Sequence, residues 1–328
     1  MRRCYIHIGH AKTATSYLQC CLHLNTEVFA AHGYFVPGEF QAFGFQAMRE
    51  LAEQQGVMCG NLAPMHVLMC EGPHDRMEPM FDYLMSAPEG SDVVLSSELF
   101  FYYVNATARV ANAARRRGLA PEILAYLPRQ DRASVSAYLQ SVRHHQTSPG
   151  VVEFLVHDDF IPYLQYYRTL SRLRAKLPDI PFRLRSFAPQ FLTDGDIVSD
   201  FLGQIGGRMD AGALRRPTRA ANQGLLLEQY EALRAAKILG LEAAAEAVRL
   251  LQPDLTAGDR ARVQAYYYRP YVRRYLMEHL LPGNEALLAH FMPAAGATER
   301  EYWQTLETPT DAPEVDRQQV RNLLRLGD

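Results

Sequence analysis

Near the start of the chain, Gly9-His-Ala-Lys-Thr-Ala-Thr-Ser16 combines a primary amine with three short hydroxyl residues. Lys12 offers a mobile cation with three donors, and Thr13, Thr15 and Ser16 sit where a helix would begin, so their backbone N–H groups are also available. Such a set suits an anion with several oxygens, a phosphate or a sulfate. A Walker A loop would place glycine six residues before the lysine and another immediately before it. Those places hold Ile6 and Ala11, so that motif is not matched. Two further stretches carry candidate chemistry. Ser96-Ser97-Glu98 ends an apolar run with a carboxylate, and Arg129, following Leu127-Pro128, offers the planar fork that grips phosphate oxygens.

These residues need elements to hold them. Tyr5-Ile-His-Ile8 is β-prone, whereas Leu18, Cys21 and Leu22 recur at helical spacing. The lysine loop is therefore a turn from strand to helix, the position at which an open α/β sheet binds ligands. The first helix is expected to end near His32-Gly33, before a short strand at Tyr34-Phe-Val36. Residues 39–88 are rich in Phe, Met, Gln and Gly and read as two or three helices with loops. Asp92-Val-Val-Leu95 has the continuous apolar character of a buried parallel strand. Glu98 then serves either an acceptor or, as the alternative, the N terminus of a helix from about Leu99. Further strands are expected at 122–128 and 182–187. Helices are expected over 106–118 and 152–176, the latter with a stripe of Tyr163, Tyr166, Tyr167 and Leu170, and from Thr193-Asp194 to Gly206-Gly207. Four or five parallel strands flanked by helices, an α/β class, follow from this alternation. One domain is expected over 1–328, with an α/β core at 1–207 and a mostly helical extension at 208–328.

The first loop resembles the 5′-phosphosulfate loop of bacterial PAPS-dependent sulfotransferases, in which a strand runs into Gly-His-x-Lys-Thr-x-Thr-x-x-Leu-Gln. Gly9, His10, Lys12, Thr13, Thr15, Leu18 and Gln19 fit that pattern. Ala14 stands where the family usually has glycine: either the loop needs no positive φ there, or it is slightly strained. The resemblance implies a P-loop-like sulfotransferase fold and transfer of a sulfuryl group from PAPS to a hydroxyl or amine of a carbohydrate, glycolipid or small molecule, leaving adenosine 3′,5′-bisphosphate. It implies that Ala11, Lys12, Thr13, Ala14, Thr15 and Ser16 cradle the 5′-phosphosulfate, with Lys12 on the leaving oxygen. Glu98 is then the first candidate for the base and His10 the second. It further implies a 3′-phosphate site from an arginine after a strand and a serine on the next helix. The family spacing of eight, counted back from Ser136, lands on Pro128; Arg129 takes over after a shift in register, or Ser134 is the partner, or the 3′-phosphate is weakly held. Arg219 and Asn222, in a basic segment before a helix near Gln223, either reach the donor or acceptor or form a solvated linker. A nucleotide-dependent kinase with a deviant loop and a non-catalytic anion-binding relative are the rival readings.

Composition narrows the classes. With 34 Lys+Arg against 36 Asp+Glu, the formal net charge is −2, and a general nucleic-acid binder would be more basic. Five cysteines without a C-x-x-C pair and eleven histidines without H-E-x-x-H give no metal or disulfide pattern. No apolar run approaches the ~20 residues that span a bilayer, and a strand rather than a signal peptide is read at the N terminus. The expectation is a cytoplasmic protein without a metal.

Overall fold

A computed structural model describes residues 1–10, 12–37, 77–144, 149–156, 160–217 and 224–325. Along the chain run β1 (Arg3–His7), α1 (Thr15–Leu24), α2 (Thr26–Ala31), β2 (Tyr34–Phe35), α3 (Met77–Leu84), β3 (Asp92–Ser96), α4 (Val104–Arg116) and β4 (Ala120–Leu127). There follow α5 (Gln130–His144), α6 (Val151–Val156), α7 (Phe160–Leu164), α8 (Tyr166–Lys176), β5 (Phe182–Ser186) and α9 (Ile197–Gln204). The remaining helices are α10 (Leu227–Leu239), α11 (Glu242–Arg249), α12 (Ala257–Tyr267), α13 (Pro270–Phe291), α14 (Ala297–Gln304) and α15 (Arg317–Leu324).

The five strands form one parallel sheet in the order β2-β3-β1-β4-β5. Its central strands are covered on both faces, which is why 93–95 and 123–127 read as unbroken apolar runs rather than alternating ones. Tyr5, Leu18, Leu22, Phe29, Val94 and Phe201 belong to the cluster that packs the sheet against α1, α2 and α9. The chain leaves β1 toward β2 and leaves its neighbour β4 toward β5, in opposite directions. The edge beyond β1 and β4 is thus a topological switch point, where such sheets take ligands.

Two compact units divide the chain: residues 1–128, 166–221 and 286–299, containing the sheet, and residues 129–165, 222–285 and 300–328, which are helical. This differs from a break at 207/208, since α5 to α7 join the C-terminal helices. Several boundaries also move. The first helix breaks at Asn25, whose amide donates to the Cys21 carbonyl at 2.7 Å and to the Arg215 carbonyl at 2.8 Å, so that α1 ends at Leu24 rather than near His32-Gly33. Asp196 caps α9 by accepting from the Ser199 N–H, so that helix starts after Thr193-Asp194 rather than at them. The stretch expected as one helix over 152–176 contains α6, α7 and α8; within it Tyr166 and Leu170 are core residues. Residues 38–76, Arg219 and Asn222 lie outside the described residues.

Candidate functional site: the loop after β1

β1 does not stop bonding when its strand ends. The Ile8 N–H reaches the Leu124 carbonyl at 2.8 Å and the His10 N–H reaches that of Tyr126 at 3.4 Å, while the His7 carbonyl accepts from Ser97 N–H at 3.0 Å. The start of the loop is therefore stitched to both neighbouring strands. Gly9 is required for space: a Cβ there would lie 2.7 Å from Thr15 Oγ1 and 2.9 Å from the His7 ring.

Beyond Gly9 the backbone turns left-handed twice. Lys12 has φ +71° and Ala14 φ +55°, with Thr13 between them outside the positive-φ region. Alternation of this kind turns successive N–H groups to one side and makes an anion-binding concavity. Of the two possibilities for Ala14, the strained one holds: it occupies left-handed space without being glycine, as the N-cap of α1. Its methyl group cannot cap, and the first turn of α1 contains no acidic residue. The first N–H groups of α1 thus keep the helix's positive end without a carboxylate from the helix's own first turn.

Thr13 and Thr15 were expected to present hydroxyls to the anion, but both are buried and their hydroxyls point inward. Thr13 Oγ1 donates to the His10 carbonyl at 2.6 Å and lies 3.1 Å from Thr15 Oγ1. They hold the loop's shape, while Lys12 and Ser16 are half-buried. Ala11 lies outside the described residues. His10 has no exposed surface and packs edge-on against Tyr166 (4.8 Å between ring centroids), Phe101 (5.1 Å) and Tyr102 (5.6 Å). Its enclosure anchors the loop.

Sequence reasoning passed over His7, the inward residue closing β1. Its Nδ1 lies 2.8 Å from Ser96 Oγ, which also receives the Gln19 amide at 3.3 Å, while Nε2 is buried without a hydrogen bond. Burial drives its pKa down to about 3, so the ring is neutral. The available signal was a histidine inside an otherwise apolar strand. At the end of β3, Ser97 accepts from the Leu99 N–H at 3.3 Å and caps a 3-10 turn over Glu98–Phe101. The capping role considered for Glu98 thus belongs to Ser97; the Glu98 side chain lies outside the described residues.

In the helical unit, Arg129 is buried at the start of α5. Its Nε donates to Asp131 Oδ1 at 2.8 Å, and the Tyr302 ring covers the guanidinium at 4.6 Å. Burial alone would lower its pKa, yet the bond to Asp131 and that residue's charge raise it. Ser134 donates to the Asp131 carbonyl at 2.8 Å and is buried, so its hydroxyl is committed within the helix; Ser136 is half-buried. Pro128 contributes only its carbonyl, which accepts from Tyr166 at 2.9 Å.

Among the described residues no group of three His, Cys, Asp or Glu is placed to hold a metal ion, and no helix is long and apolar enough to cross a membrane. Compared with protein-family models, with curated proteins and with solved structures, the chain matches none.

Proposed function

We propose that the chain is a PAPS-dependent sulfotransferase. One observation carries this reading: a lysine-bearing loop of alternating hand leads into an uncapped helix at the switch point of a parallel sheet. That arrangement supports binding of an oxyanion whose leaving oxygen gains charge during transfer. In the proposed reaction an acceptor oxygen or nitrogen bonds to sulfur as the bond from sulfur to the bridging phosphate oxygen breaks. Lys12 neutralises that oxygen, and the N–H groups from Thr13 to Ser16 hold the 5′-phosphosulfate. Glu98 takes the acceptor's proton, while His10 keeps the loop in place. Arg129 with Ser136 receives the 3′-phosphate, and adenosine 3′,5′-bisphosphate leaves. The acceptor is a hydroxyl or amine of a glycan, glycolipid or small molecule, and the protein works in the cytoplasm without a metal.

Calorimetry with adenosine 3′,5′-bisphosphate and turnover of labelled PAPS over a mixed acceptor panel test the reading. Lys12→Ala should lower turnover by about 10²–10³, as loss of one positioned electrostatic donor does, while the variant remains folded by circular dichroism. Binding of ATP-Mg in place of the bisphosphate would favour a kinase. Bisphosphate binding without turnover would favour a non-catalytic relative.

A further inference from the structure

Beneath the lysine loop two chains of hydrogen bonds run toward each other and stop one link short of meeting. The first ends at Thr15. Thr13 Oγ1 donates to the His10 carbonyl at 2.6 Å, which can give no hydrogen in return. In the 3.1 Å contact between the two threonine hydroxyls the donor is therefore Thr15. Buried at 2% exposure, Thr15 Oγ1 has its hydrogen committed and keeps lone pairs with which to accept.

The second chain ends at His7. The Gln19 amide donates to the Ser96 carbonyl at 3.2 Å and to Ser96 Oγ at 3.3 Å, and Ser96 Oγ lies 2.8 Å from His7 Nδ1. The other ring nitrogen, Nε2, is buried without a hydrogen bond. Both chain ends border one small space: the point where a side chain on Gly9 would begin lies 2.9 Å from His7 Nε2 and 2.7 Å from Thr15 Oγ1. A bare lone pair on Nε2 would share that space with an oxygen whose hydrogen already goes to Thr13. The proton of the ring, neutral through burial, is thus assigned to Nε2, with Ser96 donating to Nδ1. Every donor then points the same way, from Gln19 toward the His10 carbonyl. One link, between His7 and Thr15, is open.

We propose that His7 is a positioning residue for the loop: when an oxyanion is bound there, His7 Nε2–H donates to Thr15 Oγ1 and joins the two chains. Thr15 opens α1, so an anion held by the first N–H groups of that helix acts directly on it. The closed chain begins at the end of β3, just before Ser97 and Glu98, and fixes the first turn of α1 against β1. A hydrogen bond made only in the bound state adds to affinity, whereas one present in both states adds nothing. The loop's role in holding a 5′-phosphosulfate rests on the sulfotransferase reading; the open link rests on the unmet nitrogen and the committed hydroxyl.

A double-mutant cycle of His7→Phe and Thr15→Val on the full chain tests it, read by calorimetry with inorganic phosphate and with adenosine 3′,5′-bisphosphate. Phenylalanine suits the site, because the His7 ring already meets Tyr126 and Phe201 edge-on at 5.7 and 5.6 Å between centroids. Each single variant should weaken binding, and the double variant should be about fivefold tighter than independent effects allow, the net scale of one hydrogen bond. Urea unfolding of the ligand-free proteins should show no such coupling, since the link is open there. Independent effects on affinity, or equal coupling in the ligand-free proteins, overturn the proposal. Should the variants fail to fold, nitrogen-15 spectra of the wild-type imidazole decide: Nε2 carries the proton without ligand, and phosphate moves its N–H resonance downfield. A proton on Nδ1, or an unmoved Nε2–H, overturns it equally. Coupling with phosphate while the bisphosphate fails to bind keeps the link and overturns the sulfotransferase reading. Bisphosphate binding that depends on Lys12 but shows no coupling leaves that reading without the link. Failure of both ligands to bind wild type overturns both.

Discussion

At Ala14 a single methyl group carries a measurable penalty. Left-handed backbone costs a non-glycine residue about 1–2 kcal/mol, and Ala14 pays it at φ +55° because the loop must reverse hand before α1. Ala14→Gly should stabilise the folded chain by about 0.5–1 kcal/mol, the larger unfolded-state freedom of glycine offsetting part of the relief. Ala14→Val should do the reverse, since a β-branched residue fits positive φ worst. Urea midpoints for the two variants check both directions. Gly9 nearby obeys a different rule: its φ is not positive, and it is glycine because Thr15 and His7 fill the space a side chain would need.

Between elements, Asp200 of α9 joins β4, β5 and the turn before α9. With no exposed surface, it accepts from the Tyr126 hydroxyl at 2.8 Å, from Arg185 Nη2 at 2.6 Å and from the Thr193 N–H at 3.1 Å. The buried Tyr126 hydroxyl is held protonated, its pKa raised first by burial and then by the Asp200 charge. Asp200→Asn turns one acceptor oxygen into a donor facing donors. We expect a loss of about 2–4 kcal/mol, less than for a wholly buried broken ion pair because Arg185 keeps part of its surface in water. Amide hydrogen exchange should locate the loosening at β5 and the start of α9, while the loop after β1 keeps its protection.

For the whole molecule the acid limb of the stability curve has an identifiable contributor. Folded His7 titrates at about 3 because burial disfavours its charged form, against about 6.5 in the unfolded chain. Between those values the unfolded state binds the extra proton. The stability His7 contributes is therefore intact above pH 6.5 and is lost as pH falls toward 3, by about 1.4 kcal/mol per pH unit across that window. Denaturation of wild type and His7→Gln at pH 7, 5 and 4 should show the variant's stability falling less steeply; parallel curves would remove His7 from the acid limb. Bulk electrostatics contribute little directional information here, with a formal net charge of −2.

Local chemistry made much of this protein legible from the residues alone. Apolar runs bounded by turn residues marked the strands at 5–8, 92–95 and 122–127, and the passage from β-prone to helical spacing placed the Lys12 loop between β1 and α1. The resemblance to the sulfotransferase loop, which usually has glycine at that place, flagged Ala14 as the residue to question. What the residues could not disclose was partnership, because hydrogen bonds between distant segments leave no periodic trace. Thr13 and Thr15 look alike in sequence whether their hydroxyls face a ligand or the loop's own backbone. Asn25 ends α1 partly through Arg215, 190 residues away. Arg129 is joined to Glu307 and Tyr302 by folding alone, although 178 and 173 residues separate them in the chain.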